Sequence, residues 1–238
     1  EDLGLDGLGW LSEISPFSTA AGTGEPDLFF LAVLQEQTVS LERWDSLSAS
    51  GPMIGVAGTD AHQNTLPIDF RDGERGDSYR RMMRWFSNNL LVDSSVSSLT
   101  PAHTDEALTA GRAYVAFEIL GTPAGFDYRL QAQSGEVYEM GSTAPGGTLH
   151  IACPTLSQAS PTNLELPDIS VTVFKDGLSW HSGCGSVATD GPGVYRVRVD
   201  IIPWHLRDFL GENPDTWLHS YPWVYSNPIR VTSAPGGT

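Results

Sequence analysis

The first half of the chain alternates between stretches with helical periodicity and short apolar runs. From Gln35 to Ser50, apolar residues recur at helical spacing, which predicts an amphipathic helix. The run from Met53 to Ala57 is apolar throughout, which predicts a strand buried on both faces. Similar patterns predict helices at Asp77–Asn89 and Thr104–Ala110, with Thr104 as an N-cap, and strands at Leu90–Val92 and Ala113–Phe117. Alternation of helices and strands favours an α/β domain.

Beyond residue 121 the helical period is absent, and apolar residues alternate with polar ones. Ile169–Val173 and Tyr195–Val199 have this alternation, and clusters of glycine and proline separate the alternating runs. Short strands divided by such turns predict an antiparallel, immunoglobulin-like β-sandwich. We therefore predict an α/β segment over residues 1–121 and a sandwich over residues 122–238, joined too closely for a free linker.

The start of one predicted strand has a more specific pattern. Tyr195 follows a tight, glycine-rich turn and opens a strand, which predicts the tyrosine corner of immunoglobulin-like sandwiches. Alternation along the strand predicts that Val197 and Val199 face the core. The residues between and beside them, Arg196 and Arg198, are expected to face water.

The composition argues against two classes of partner. The chain has 13 lysine and arginine residues against 29 aspartate and glutamate residues, which gives a formal net charge of −16. Because phosphate contacts need a dense cationic surface, this charge argues against nucleic acid and anionic membrane surfaces as partners. No apolar run approaches the roughly 20 residues of a membrane helix, so we predict no membrane span.

The chain has two cysteines, Cys153 and Cys184, both in the β-rich half. Two cysteines cannot build a framework of disulfides, but they can form one bridge. Their position in the predicted sandwich favours the bridge, and two buried free thiols are the alternative.

The sequence from Gly55 to Asn64, GVAGTDAHQN, contains the strongest candidate for chemistry. Asp60 and His62 follow an apolar run and are two residues apart, so on an extended backbone they point the same way. A carboxylate with an imidazole suits Zn²⁺, Mn²⁺ or Fe²⁺ better than Ca²⁺. Gly58 is expected to allow a close backbone approach or a positive φ. Spacing alone also fits a turn cap with a surface histidine.

Three stretches resemble the C-terminal part of the PHP family, named for polymerase and histidinol phosphatase. They are Arg43–Asn64, Ala107–Phe126 and Pro222–Val231, and the likeness is to the secreted or envelope subgroup, whose barrel is followed by a β-sandwich. The resemblance implies that residues 1–121 are the C-terminal portion of a distorted β/α barrel. It also implies a cluster of divalent metals and hydrolysis of phosphoesters.

The resemblance assigns roles to particular residues. The family's last metal motif falls on Asp60 and His62, which would bind Zn, Mn or Fe. Arg80 and Arg81, with Arg84 nearby, would contact the phosphate of a phosphorylated substrate, because the guanidinium group suits that geometry. The alternative for these arginines is a solvated helix face.

This chain lacks the other metal ligands of the family. No histidine precedes His62, so the His-x-His pair that opens the family's barrel is missing and the ligand set is incomplete. Two ligands seldom hold a catalytic metal. We therefore expect a partner, either an N-terminal barrel segment or a second chain that supplies it.

A second hypothesis is a non-catalytic module for extracellular binding, adhesion or assembly, built on a degenerate barrel and a sandwich. It rests on C-terminal aromatic residues that could stack on glycans or form a protein interface, although closing strands and sandwich cores are often aromatic as well. These residues are Trp204, Trp217, Tyr221, Trp223 and Tyr225. The subgroup resemblance and the possible disulfide predict an extracellular or cell-envelope location.

Overall fold

The computed structural model describes residues 9–63, 66, 68–157 and 165–233. Within these residues the α-helices are α1 (Gly9–Ser18), α2 (Thr38–Ser50), α3 (Tyr79–Met83) and α4 (Pro101–Thr109). The 3₁₀ helices are Pro26–Ala32, Glu118–Leu120, Trp204–Phe209 and Pro214–Thr216. The first strands are β1 (Ser87–Leu90), β2 (Ala113–Ala116), β3 (Pro123–Ala124), β4 (Asp127–Ala132), β5 (Val137–Glu139), β6 (Thr143–Pro145) and β7 (Gly147–Ala152). The later strands are β8 (Thr155–Leu156), β9 (Asp168–Lys175), β10 (Leu178–Ser182), β11 (Gly185–Ala188), β12 (Gly193–Ile202), β13 (Tyr221–Ser226) and β14 (Ile229–Thr232).

The strands form two main sheets and one short pair. The larger sheet has eight strands with the order β1-β2-β13-β12-β14-β6, and β9 and β10 extend it from the other edge of β12. Its β14–β6 pair is parallel, whereas its other pairs are antiparallel. The smaller sheet is antiparallel with the order β11-β7-β4-β5, and β3 pairs with β8. The chain is therefore a mixed α/β protein with substantial sheet content.

Alternating side chains of the two sheets build the core. In β4, Tyr128 and Leu130 are buried, whereas Arg129 and Gln131 face solvent. The Tyr128 hydroxyl donates to the carbonyl of Tyr195 in β12 (2.9 Å) and so joins the two sheets. A buried hydroxyl without a hydrogen-bond partner lowers the stability of the fold. This bond therefore favours the arrangement in which Tyr128 of one sheet lies against Tyr195 of the other.

The hydrogen bond expected of Tyr195 at the turn before β12 is present. Tyr195 is fully buried, and its hydroxyl lies 2.8 Å from the carbonyl of Gly191, four residues upstream. Burial, together with the hydrogen bond to Asp190, raises the pKa of Tyr195 to about 12. Val197 and Val199 are also fully buried, as predicted from the alternation.

The prediction that Arg196 faces water is wrong. Arg196 is 4% exposed because α2 covers that face of the sheet, and its guanidinium makes two hydrogen bonds of 2.7 Å to Asp45 of α2. Arg198 is partly buried beside it and donates to Glu36 (2.7 Å). The eight-stranded sheet is thus covered on both faces, by the smaller sheet on one and by α2 on part of the other.

The larger sheet contains strands from both predicted segments. β2, from the first segment, pairs with β13, from the second, and Val115 lies opposite Tyr225. The two segments therefore pack closely, as expected from the short join. They contribute strands to the same sheet, although the predicted boundary between them lies at residues 121 and 122. The proposed division into residues 1–121 and 122–238 stays a prediction.

Three local predictions in the first half are wrong in their bounds. The strand expected at Leu90–Val92 is β1 (Ser87–Leu90), which ends where the predicted strand begins. The helix expected over Asp77–Asn89 is only α3, because the chain enters β1 at Ser87. Helix α4 begins earlier than predicted, since Thr100 rather than Thr104 is its N-cap. The His103 side chain completes a capping box with it.

The two cysteines form the predicted bridge. Cys153 and Cys184 are disulfide-bonded with a Cα–Cα distance of 5.6 Å, so the alternative of two free thiols is excluded. Among the described residues, no helix has both the length and the apolar character that crossing a membrane requires.

Candidate metal-binding site

Residues 53–59 form an extended segment between α2 and the Asp-x-His motif. The strand predicted at Met53–Ala57 is wrong, because the segment belongs to no sheet and Val56 is 61% exposed. It passes against the ring of Trp44, where a Cβ atom at Gly55 would lie 2.7 Å from the ring. Glycine at this position therefore allows the segment to lie close to α2.

Two asparagine side chains hold this segment against the eight-stranded sheet. Asn227, which follows β13, accepts a hydrogen bond from the Gly55 N–H (2.6 Å) and donates to the Gly55 carbonyl (3.0 Å). Asn88, in β1, makes the same two bonds with Ala57 (2.9 and 2.8 Å). A side-chain amide has the donors and acceptor of a peptide group, so each asparagine replaces a neighbouring strand for one residue. The sequence analysis identified neither residue. One signal was present: asparagine is uncommon in strands, so Asn88 within β1 suggests a specific role for its side chain.

Asp60 and His62 lie at the end of this segment with their side chains together. The distance from His62 Nε2 to Asp60 Oδ2 is 3.6 Å, and the side chains are 49% and 96% exposed. Asp60 has a φ of +48°, a left-handed conformation that aspartate tolerates better than most residues. Gly58 has neither a positive φ nor a neighbour close to its Cβ position, so the predicted need for glycine there is wrong.

The Asp60 and His62 pair fits two positions in the shell of one divalent ion. Two ligand atoms that are each about 2.0–2.1 Å from zinc at the tetrahedral angle lie about 3.4 Å apart. The observed 3.6 Å between Oδ2 and Nε2 is close to this separation. The two atoms are therefore spaced as two ligands of one ion would be, and no group of three or more such side chains among the described residues includes them.

Arg75 and Asp77 bind the backbone of Gln63 and Leu66, two residues that follow His62. Asp77 is buried and accepts hydrogen bonds from Arg75 Nε (2.9 Å) and from the backbone N–H of Leu66 (2.8 Å). Arg75 also donates from Nη2 to the carbonyl of Gln63 (2.7 Å). These bonds connect Gln63, the residue after His62, to Arg75 and through it to the buried Asp77.

Arg80 and Arg81 lie in a network of carboxylates. Arg80 makes a bidentate pair with Asp27, with both N···O distances at 2.7 Å, and also contacts Glu74. Hydrogen bonds from Arg80 lower the pKa of Glu74 to about 2. The Arg81 side chain is fully buried and pairs with Asp27 and Asp72. Their predicted contact with a substrate phosphate stays a prediction, and in this arrangement both guanidinium groups already bind carboxylates.

The carboxylates of this network form the acidic triad Asp27, Asp72 and Glu74, whose oxygens lie within 4.8 Å of one another. Arg80 and Arg81 occupy these oxygens and balance most of their charge. A cation would have to displace the guanidinium groups, so the triad stabilises the fold through ion pairs and does not fit a metal.

Comparisons with models of protein families, with curated proteins and with solved structures find no match to this chain.

Replacing Asn227 with alanine is expected to release residues 53–57 from the sheet. Asn227 is 2% exposed and serves both Gly55 and the carbonyl of Ala113, so its loss should lower the free energy of unfolding by about 1–3 kcal/mol. The Gly55 amide should then exchange faster with solvent, which NMR can measure. Asn88→Ala is the control, since Asn88 is exposed and its loss should cost less than about 1 kcal/mol. An unchanged Gly55 exchange rate in Asn227→Ala would contradict this role.

Proposed function

We propose that this chain supplies Asp60 and His62 to a divalent-metal site that another segment completes, and that the completed site hydrolyses phosphoesters. The 3.6 Å approach of the two side chains at the end of an extended segment carries the metal part of the proposal. The likeness of three stretches to PHP proteins supports the reaction class. Under this proposal, residues 1–121 correspond to the C-terminal portion of a β/α barrel, and residues 122–238 to an immunoglobulin-like sandwich.

Within the proposed site, the residues of this chain would bind and orient. Asp60 would offer a carboxylate oxygen and His62 the Nε2 atom, which lies on the side that faces Asp60. A bound divalent ion lowers the pKa of a bound water toward neutrality and so supplies hydroxide for hydrolysis. Both side chains are open to solvent, which leaves room for further ligands and for a phosphorylated substrate.

The disulfide supports the proposed location outside the cytoplasm. Disulfide bonds form and persist in secreted, periplasmic and cell-surface proteins and are rare in the cytosol. The bond between Cys153 and Cys184 therefore favours an extracellular or cell-envelope protein.

The second hypothesis, an adhesion or assembly module, needs accessible aromatic side chains. Trp223 and Tyr221 are buried in the hydrophobic core, where the Trp223 Nε1 donates to the carbonyl of Gly121 (2.7 Å). Trp204, Trp217 and Tyr225 are partly exposed. Two of these three are already engaged, because Trp204 Nε1 donates to Asp168 (2.8 Å) and the Tyr225 hydroxyl donates to Glu36 (3.3 Å), so we favour the metal site.

Titration with Mn²⁺ followed by NMR tests the proposed ligand pair. The signals of Asp60 and His62 should broaden before those of other residues, because the paramagnetic ion binds beside them. Asp60→Ala and His62→Ala should each weaken binding by at least about tenfold, since each removes one ligand of the proposed pair. His181→Ala is the matched control, because among the described residues His181 has no carboxylate partner. Equal broadening at His181 and His62 would overturn the site.

A further inference from the structure

We infer that the free edge of residues 54–58 accepts a β-strand from a different polypeptide. The apolar side chains of that strand would fill the groove beside the segment. This inference names the partner that the proposed function requires, and it rests on that function only for the ligands that the strand would bring.

The direction of the backbone groups of residues 54–58 favours an added strand. In an extended chain, the N–H and C=O groups of successive residues point to opposite sides. The groups of Gly55 and Ala57 face the sheet and bind the two asparagines. By this alternation, those of Ile54, Val56 and Gly58 are expected to face the other way, and in the described part of the chain no hydrogen bond reaches them. A row of alternating donors and acceptors is complementary to a second extended backbone, whereas a helix has no free backbone groups along its length to offer.

The sequence of this edge offers no protection against pairing with another strand. Natural proteins protect exposed edges with charged residues, prolines, bulges or a covering element. Residues 53–59 contain no charged residue and no proline. The side chains of Ile54 and Val56 are 37% and 61% exposed, so the edge presents apolar surface as well as free backbone groups.

A largely apolar groove runs beside the segment. It has a volume of about 1010 Å³, at the upper end of the range of about 300–1,000 Å³ for ligand pockets. Its lining includes Val115 and Phe117 near one end of the sheet, Tyr225 of β13, and Trp44 of α2. In an added strand, alternate side chains would point into this groove and the others toward solvent.

The charge of the chain favours a different polypeptide over a second copy. Each copy has a formal net charge of −16, so two copies repel each other. The partner is therefore a less acidic segment with apolar residues at alternate positions. Whichever direction it runs, one of its ends lies beside Asp60 and His62, where a histidine or a carboxylate of the partner would extend the metal shell.

A short synthetic peptide with valine or isoleucine at alternate positions and threonine between them is the probe. Added to the whole chain, it should slow amide exchange at Ile54 and Val56 by at least about tenfold, measured by NMR. The same peptide N-methylated on its pairing edge should have no effect, because it lacks the donors. If exchange is unchanged up to the solubility limit of the peptide, or slows equally with the methylated peptide, the inference is overturned.

Val56→Pro tests the same edge from the side of the protein. Proline removes the N–H of residue 56 and leaves the bonds of Gly55 and Ala57 to the asparagines in place, so their exchange rates report that the segment still lies on the sheet. This variant should lose the response to the peptide, and Val56→Thr should keep it. A dimer that protects Ile54 without added peptide would overturn the choice of partner.

The strand site and the metal site can fail separately. The double variant Asp60→Ala, His62→Ala should bind the peptide as the native chain does, because neither side chain lies on the pairing edge. Retained peptide protection with no Mn²⁺ response in the native chain would sink the metal proposal alone. If the native chain responds to Mn²⁺ as expected but the peptide does not slow its amide exchange, the strand inference alone is contradicted.

Discussion

Replacing Asp45 with alanine is expected to lower the free energy of unfolding by about 3–5 kcal/mol. The change removes both hydrogen bonds to the Arg196 guanidinium, which is 4% exposed and packs against the ring of Phe174. Without Asp45, the Arg196 guanidinium would stay buried without a counter-ion. The folded state then loses several kcal/mol, because the charge is removed from water and nothing compensates it. Urea unfolding followed by tryptophan fluorescence measures the effect.

Two further variants separate this cause from a general weakening of α2. Glu42→Ala changes an exposed residue of the same helix and should alter stability by no more than about 0.5 kcal/mol. Asp45→Leu combined with Arg196→Met removes both charges, and should recover most of the loss because no unpaired charge stays buried. If Asp45→Ala and the double variant are equally unstable, the buried charge is not the cause.

Removing the disulfide is expected to cost about 3–4 kcal/mol. The bond joins cysteines that are 31 residues apart, and closing a loop of that length restricts the unfolded chain by this amount. Cys153→Ser, Cys184→Ser avoids a free thiol and should lower the midpoint of thermal unfolding. Its stability should also be insensitive to reductant, whereas the native chain should lose stability in reductant until the two are equal. A native chain that keeps its stability when fully reduced would contradict this prediction.

The β-rich half could be predicted from the sequence because its signals are local. Alternation places Val197 and Val199 correctly, and the turn before Tyr195 predicts the corner hydrogen bond. The same alternation fails for Arg196, since a strand pattern cannot tell whether a helix from elsewhere in the chain covers its polar face. The sequence therefore predicted correctly which face of the strand Arg196 lies on, but it predicted wrongly that this face is exposed to solvent.

Long-range contacts explain the errors in the first half. An apolar run such as Met53–Ala57 suggests a buried strand, yet its partners are the side chains of Asn88 and Asn227, which no local pattern identifies. The helix expected at Asp77–Asn89 stops at α3, and Ser87 begins a strand because it pairs with Ala116. For the candidate site, spacing predicted that Asp60 and His62 lie together, but it could not reveal the network that surrounds Arg80 and Arg81.

The pairing of β2 with β13 has a consequence for the synthesis of this protein. Asn227 and Ala113, which share a hydrogen bond where the two strands meet, are 114 residues apart in sequence. On a ribosome that adds about 5–20 residues per second, β2 emerges roughly 5–25 s before the strand that pairs with it. Its edge is exposed throughout that interval, when an unpaired strand is most prone to aggregate. The nascent chain is therefore expected to bind a chaperone before β13 emerges. A chain that is truncated before residue 221 lacks β13 and is expected to aggregate.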